Sequence, residues 1–342
     1  MNYELRQQVI EPGRATFQHL VDRYGDRPAS RYQEASVDIQ PRENFHYRPL
    51  WDPEHEIYDP DFSTLRLDDP YSFTDPRQYY YATYTAARAA QQDAFSRTLD
   101  YLDTKNLWST MPSSWSAVIA SVLVPLRHYE SGAELVFAAG SRFAYGTTIE
   151  QCCSYAAFDR IANAQMLSRI GLGLDGGLTN VLTTAKAAWL DAPYLQGLRR
   201  SVEEILVEAD WAVAVTALDM IDSLVYPLLY NSLDEIALLS GGGAYSLIAQ
   251  HFAGWWSDHR RWLDALYGAW TSDATYGGAN RAALSTAASR CLATAERNVA
   301  ELVPTLAGVA DQADLAAALS RSRTAVGERL GGLGLELTGV LS

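Results

Sequence analysis

The sequence predicts an all-α protein, a bundle of long helices behind an extended N-terminal arm. Three observations carry this. Beyond Pro76, apolar residues recur at helical spacing over segments of roughly 25–40 residues, far above the usual helix length of about 11–12. No alternating apolar–polar pattern exceeds four residues, which removes the strand signal. Eight of the thirteen prolines lie before residue 77, and proline at that density excludes long helices there.

The arm, residues 1–76, is not low-complexity chain. Phe45, Tyr47, Trp51, Tyr58, Phe62, Tyr71 and Phe73 recur every few residues, and ten of the twenty tyrosines precede residue 85. Disordered linkers are poor in aromatics. The arm therefore reads as extended chain that lies on a surface and buries its rings there, either on its own domain or on another subunit. Tyr47, Trp51, Tyr58, Tyr71 and Phe73, with the Tyr79-Tyr80-Tyr81 run, are the candidate partner contacts, since rigid rings supply large apolar area with few rotatable bonds.

Residues 77–342 form the helical domain. Asp75-Pro76 offers an N-cap and a proline at N1 for a helix from Arg77 to Leu102. A second helix begins at Pro112 or Ser113. Ser131 and Glu134 have capping-box spacing, with a small-residue run to about Ile170. Leu178–Leu190 is a shorter helix. Pro193 opens a long one through Trp211 and Leu224, with Pro227 near its end. After Gly241-Gly242-Gly243 a helix runs to about Trp270, and two more cover roughly 278–307 and 311–330.

Charge and cysteine usage narrow the function. A net charge of −14 opposes binding to nucleic acid or an anionic membrane, both of which need a basic face. No uncharged apolar run reaches the ~18 residues of a membrane span, and the first residues lack a signal core. Three cysteines, two of them adjacent, make no disulfide framework, so a reducing cytoplasm is expected.

Familiar chemical motifs are few. Gly171-Leu172-Gly173-Leu174-Asp175-Gly176 has a nucleotide-loop spacing, but it follows a helix where a strand is required. A helix-borne metal site needs a carboxylate three residues before a histidine. Only Glu43–His46 and Asp52–His55 have that spacing, and both sit in the arm, where i and i+3 share no helix face. Glu150 with Cys153, one turn apart, is a possible ligand pair lacking a second pair; free cysteine more often packs as a small hydrophobe.

The stretch Tyr71 to Tyr84, Y-S-F-T-D-P-R-Q-Y-Y-Y-A-T-Y, followed by the helix bearing Arg88, resembles the β-subunits of bacterial soluble di-iron monooxygenase hydroxylases, the alkene, phenol and toluene monooxygenases. Trp51-Asp52-Pro53-Glu54-His55, Arg127-His128-Tyr129-Glu130, Asp210-Trp211-Ala212 and Asp258-His259-Arg260-Arg261-Trp262 continue the pattern in order, over roughly residues 45–300. The resemblance implies a ferritin-like bundle paired with a homologous α-subunit that carries two irons on a lone Glu and an E-x-x-H, each occurring twice. Here Glu130 matches a lone Glu, but the E-x-x-H positions hold Arg160 and Asn163 in one half and His259 and Trp262 in the other. Arginine is always cationic and tryptophan offers only an N–H, so these residues imply no metal or cofactor in this chain, and an Arg160–Glu130 salt bridge instead.

The implied role is a non-catalytic structural subunit, with alkene epoxidation favoured over phenol or toluene hydroxylation. The implied partners are the α-subunit in an αβ or (αβ)2 assembly with or without a γ-subunit, an effector protein, and an NADH-dependent reductase with FAD and a 2Fe-2S cluster. The alternative from another class is a stand-alone ferritin-like metal protein using Glu130, Glu150, Cys153 and His128.

Overall fold

Capping residues and prolines set the element boundaries. The computed structural model describes residues 15–40 and 53–337. Tyr47, Trp51, Glu43, His46 and Asp52 lie outside the described residues. The arm contains two short helices, α1 (Gln18–Tyr24) and α2 (Arg31–Ser36), so it is not wholly extended. In α2 the Ser30 hydroxyl accepts from the Gln33 N–H, and the Gln33 amide oxygen accepts from the Ser30 N–H. A 3₁₀ turn follows at Pro70–Ser72. The domain proper begins with α3 (Tyr81–Thr104), α4 (Leu107–Thr110) and α5 (Ser113–Val118), the last continued by a π-helical stretch, Ile119–Leu123. Next come α6 (Leu126–Phe143), α7 (Thr147–Leu174), α8 (Asn180–Asp191), α9 (Pro193–Leu206) and α10 (Trp211–Tyr226). A second π-helical stretch, Pro227–Ser232, leads into α11 (Leu233–Leu239), α12 (Gly243–Ser272), α13 (Gly277–Ala300), α14 (Val303–Leu306) and α15 (Gln312–Gly331). No strand occurs among the described residues.

Four boundaries differ from the sequence reading, each for a local reason. Asp75 caps a turn and not a helix: its carboxylate accepts from the Arg77 N–H, Gln78 takes a left-handed φ of 52°, and α3 waits until Tyr81. Ser131 and Glu134 lie inside α6, which starts directly after Pro125. The long run beyond Pro193 is broken at 207–210, where Asp210 accepts from the Ala212 and Val213 N–H groups and starts α10 afresh. Pro227 does not end its helix, because the local π-helical turn absorbs the missing N–H.

The core is the antiparallel pair α6–α7 packed with α10 and α12. Outside it lie α3, α9, α13 and α15. All of α10 except Val213 is buried. The segment Trp211–Leu239 is long and apolar enough to cross a membrane, yet 89% of its most apolar window is covered by the bundle. Small residues set the closest helix approach: a Cβ on Gly140 would lie 3.1 Å from the Cys153 thiol and 3.5 Å from the Trp211 ring. Gly146, at φ +117° between α6 and α7, passes so near Pro70 that a Cβ would sit 2.6 Å from its carbonyl oxygen.

That contact is one of several tying the arm to its own bundle. The Gln40 side chain accepts from the Gly146 N–H at 2.9 Å and donates to the Ala144 carbonyl at 3.2 Å. Asp210, while capping α10, also accepts from the Ser63 hydroxyl (2.8 Å) and the Thr64 N–H (2.7 Å). Asn280 accepts from the Arg66 N–H and donates to the Arg66 carbonyl. Tyr71 and Phe73, expected among the partner contacts, are instead buried in this subunit, Tyr71 with its edge on Tyr145 and Phe73 within the core. Tyr58 and Tyr80 are half-buried; Tyr79 lies under the guanidinium groups of Arg77 and Arg88; Tyr81 points to solvent.

Candidate functional site

Glu130 and Asp222 are carboxylates inside an apolar bundle, where an unpaired charge is very costly. Arg160 on α7 stands between them, fully buried. It donates through Nη1 to Glu130 Oε2 at 3.1 Å and through Nη2 to Asp222 Oδ2. The Tyr226 hydroxyl donates to Glu130 Oε1 at 2.6 Å, and the Tyr129 hydroxyl donates to Asp222 Oδ1 at 2.6 Å. Asn163 Nδ2 reaches Glu130 Oε2 at 3.5 Å and the Tyr226 oxygen at 3.4 Å. The guanidinium also lies over the Trp255 ring, 4.8 Å from its centroid. Burial pushes the Asp222 carboxyl up to about 6, against the pull of Arg160.

On α12, His259 stacks on Trp255 with centroids 4.8 Å apart and meets Phe137 edge-on. Its Nδ1 accepts from Trp262 Nε1 at 3.4 Å. Burial first, then four nearby guanidinium groups led by Arg160, hold its pKa well below the usual histidine value, so the ring is neutral. The sign of the pH effect follows. In the unfolded chain His259 gains a proton as pH falls below its ordinary pKa of about 6.5, while in the native state it does not, so stability is lost towards acid. Lowering the pH from 7 to 5 is expected to cost about 1–2 kcal/mol through this ring. Chemical denaturation at both pH values checks it: His259→Phe, which keeps the stacking, should flatten the difference, and an unchanged slope would assign the loss elsewhere.

The residues implied by the resemblance thus come together: Glu130, Arg160 and Asn163 in one hydrogen-bonded cluster, His259 and Trp262 in the aromatic layer beside it. They do not fit a metal centre. Both carboxylates are engaged by a permanent cation, and the histidine nitrogen that accepts a hydrogen bond faces tryptophan. Among the described residues no three His, Cys, Asp or Glu side chains are grouped to hold a metal. The alternative set is scattered. Glu150 accepts from Ser154, Cys153 packs against Gly140, and His128 stacks on Trp189 with its pKa lowered to about 4, chiefly by burial.

Asp222, Tyr226 and Tyr129 escaped the sequence reading. The available signal was Asp219 and Asp222, one turn apart in an otherwise apolar helix, each of which needs a buried partner. Asp219 finds Arg260, Arg329 (3.1 Å) and the Tyr267 hydroxyl (3.0 Å), which joins α10 to α12 and α15. A third centre joins α3, α7 and α12: Asp159 accepts from Arg88 Nε (2.7 Å), the Tyr84 hydroxyl (2.8 Å) and Trp255 Nε1 (3.0 Å), and Arg88 also reaches Asp258 at 2.8 Å.

Long helices packed around an arginine-centred ion cluster, buried between α6, α7 and α10, define a ferritin-like bundle. Residues 51–274 match the family model of the methane/phenol/alkene hydroxylases, and the chain belongs to that family. It is 41% identical over 268 residues to the phenol 2-monooxygenase oxygenase component DmpL of Pseudomonas sp. (strain CF600), covering 78% of this chain and 81% of the relative. It is 26% identical over 176 residues to the toluene-4-monooxygenase hydroxylase subunit beta of Ectopseudomonas mendocina, about half of each chain. A solved chain of phenol hydroxylase from Pseudomonas sp. OX1 superposes with a TM-score of 0.88 at 32% identity, covering 98% of this chain and all of the other.

Proposed function

We propose that the chain is the structural β-type subunit of the hydroxylase component in a phenol-type monooxygenase, and that it holds no iron itself. The observation that supports this is Arg160, held between Glu130 and Asp222 where the resemblance puts a metal ligand. The relatives' names favour a phenol-type substrate and lend no support to the alkene reading. In this reading the di-iron centre lies in an α-subunit, which inserts one oxygen atom from O2 into the ring. Electrons come from NADH through a reductase with FAD and a 2Fe-2S cluster, and an effector protein completes the system. The assembly is αβ or (αβ)2, with or without a γ-subunit, and works in the cytoplasm. This chain's own groups tie helices together: a cation fixed between two carboxylates does across α6, α7 and α10 what a metal would otherwise do.

Iron analysis tests the reading. After anaerobic reconstitution with ferrous iron and desalting, the isolated chain is expected to retain none. About two irons per chain would overturn it in favour of a stand-alone ferritin-like metal protein.

A further inference from the structure

α9 and α13 are pinned together at one end of their contact. A Cβ on Gly197 would lie 2.7 Å from the Glu301 carboxylate, and Asn298 Nδ2 donates to the Ser201 hydroxyl at 2.6 Å. Towards the other end the chain turns at 207–210 from α9 into α10. Three small side chains line one cleft in that elbow: Ser201 from α9, Ala217 from α10 and Cys291 from α13. Protein interiors are filled to crystal density, so small residues meeting from three helices leave a gap that larger ones would close. The gap measures about 230 Å³, with Ile205 and Ile221 as apolar walls and Thr294 at its side. An apolar cavity of about 150 Å³ already holds one benzene-sized ring.

The polar groups of the cleft narrow the class of guest. Ser201 accepts from Asn298 and keeps its own O–H to give. Burial, the largest influence, raises the Cys291 thiol, so at neutral pH it is uncharged. The charges at the mouth are already paired, Glu208 with Arg290 at 3.9 Å and Glu204 with Arg200 at 2.7 Å. A charged guest therefore finds no counter-ion, and a chain of net charge −14 repels an anion. Apolar walls and one hydroxyl donor fit an uncharged aromatic ring that carries one oxygen.

We infer that this elbow is a non-catalytic binding site for a neutral single-ring phenol, whose ring lies against Ile205, Ala217 and Ile221 and whose oxygen accepts from Ser201. The choice of a phenol rests on the phenol-type reading above. The same α10 carries Asp219 and Asp222, so a ring in the cleft braces that helix beside its two ion clusters.

Alkylation of Cys291 reports whether the cleft is filled, because Cys152 and Cys153 are buried and Cys291 is only partly so. On the native full-length chain iodoacetamide is expected to label Cys291, read by peptide mass spectrometry. Phenol should slow that labelling saturably, by about tenfold at ten times its half-saturating concentration. Toluene, which lacks the oxygen, should bind about fivefold more weakly, and Ser201→Ala should bring phenol down to the same level. Benzoate should not protect. Ala217→Leu and, separately, Thr294→Leu fill the cleft and should remove the phenol dependence with an unchanged circular dichroism spectrum. Equal protection by benzoate, toluene binding as tightly as phenol, or undiminished protection in both filled variants would each overturn the inference. Wild-type labelling that ignores phenol would overturn it too, and would leave the β-subunit reading intact. Iron retained by the isolated chain would end that reading and leave a measured protection by phenol standing.

Discussion

Arg160→Ala is expected to destabilise the fold by about 3–5 kcal/mol, a large part of the 5–15 kcal/mol that holds a typical domain together. The substitution leaves two carboxylates, Glu130 and Asp222, buried without a cation. It also strips the Trp255 face of its guanidinium. The two acids explain why the pair cannot be treated alone. Replacing Glu130 by Gln and Arg160 by Met should cost much less than the two single changes summed, because the uncompensated charge of each single variant is partly removed. Adding Asp222→Asn should recover more, since Asp222 is the second acid on the same guanidinium. Denaturant midpoints across this cycle are the measurement. Strictly additive losses would show that the residues do not interact, and a wild-type midpoint for Arg160→Ala would show that the cluster has no role in stability.

Removing residues 1–77 is expected to abolish cooperative folding, whereas removing residues 1–60 should leave a helical bundle that still melts. The difference lies in seventeen residues that the bundle treats as core. Leu65, Tyr71 and Phe73 are buried in it, and side chains of this size contribute about 1.5–3 kcal/mol each. Their sum is comparable to the whole stability of a domain. The same segment supplies the Ser63 and Thr64 bonds to the α10 cap, the Arg66 bonds to Asn280 at the start of α13, and the Pro70 contact at the α6–α7 turn. Circular dichroism melts of the two truncations decide the matter. A cooperative transition in the shorter form within a few degrees of the full chain would make the arm a dispensable lid. The boundary at residue 76 would then mark a physical division, and not only a change of composition.

Much of this protein follows from its residues taken in order. The period of α12 and α15 is that of an amphipathic helix with a buried stripe, and Asp311 caps α15 as its type and place require. The chemistry at four positions is equally local. Arginine at 160 is a permanent cation, tryptophan at 262 offers only an N–H donor, asparagine at 163 is neutral, and histidine at 259 stands where the pattern has a carboxylate. Those statements depend on what each side chain is, and not on what surrounds it.

Other features depend on what stands opposite. Pro227 reads as the end of a helix, yet a π-helical turn carries the chain through it because the packed ends of α10 and α11 hold the helix together on both sides. Tyr71 and Phe73 are apolar rings that require burial, but nothing in a linear pattern says whether their own bundle or a partner supplies the surface. In the fold their own bundle buries them, and the same segment is bound to Asp210 through Ser63 and to Asn280 through Arg66, residues more than a hundred positions away. Asp222 and Tyr226 likewise declare only that a polar group sits in an apolar helix. That their partner is Arg160, 62 and 66 residues earlier, is decided by the register in which α7 and α10 meet. Residue type and local period set the helices, while pairings between distant side chains are set by packing, because hydrophobic burial is non-directional and only close contact selects among the surfaces that could satisfy it.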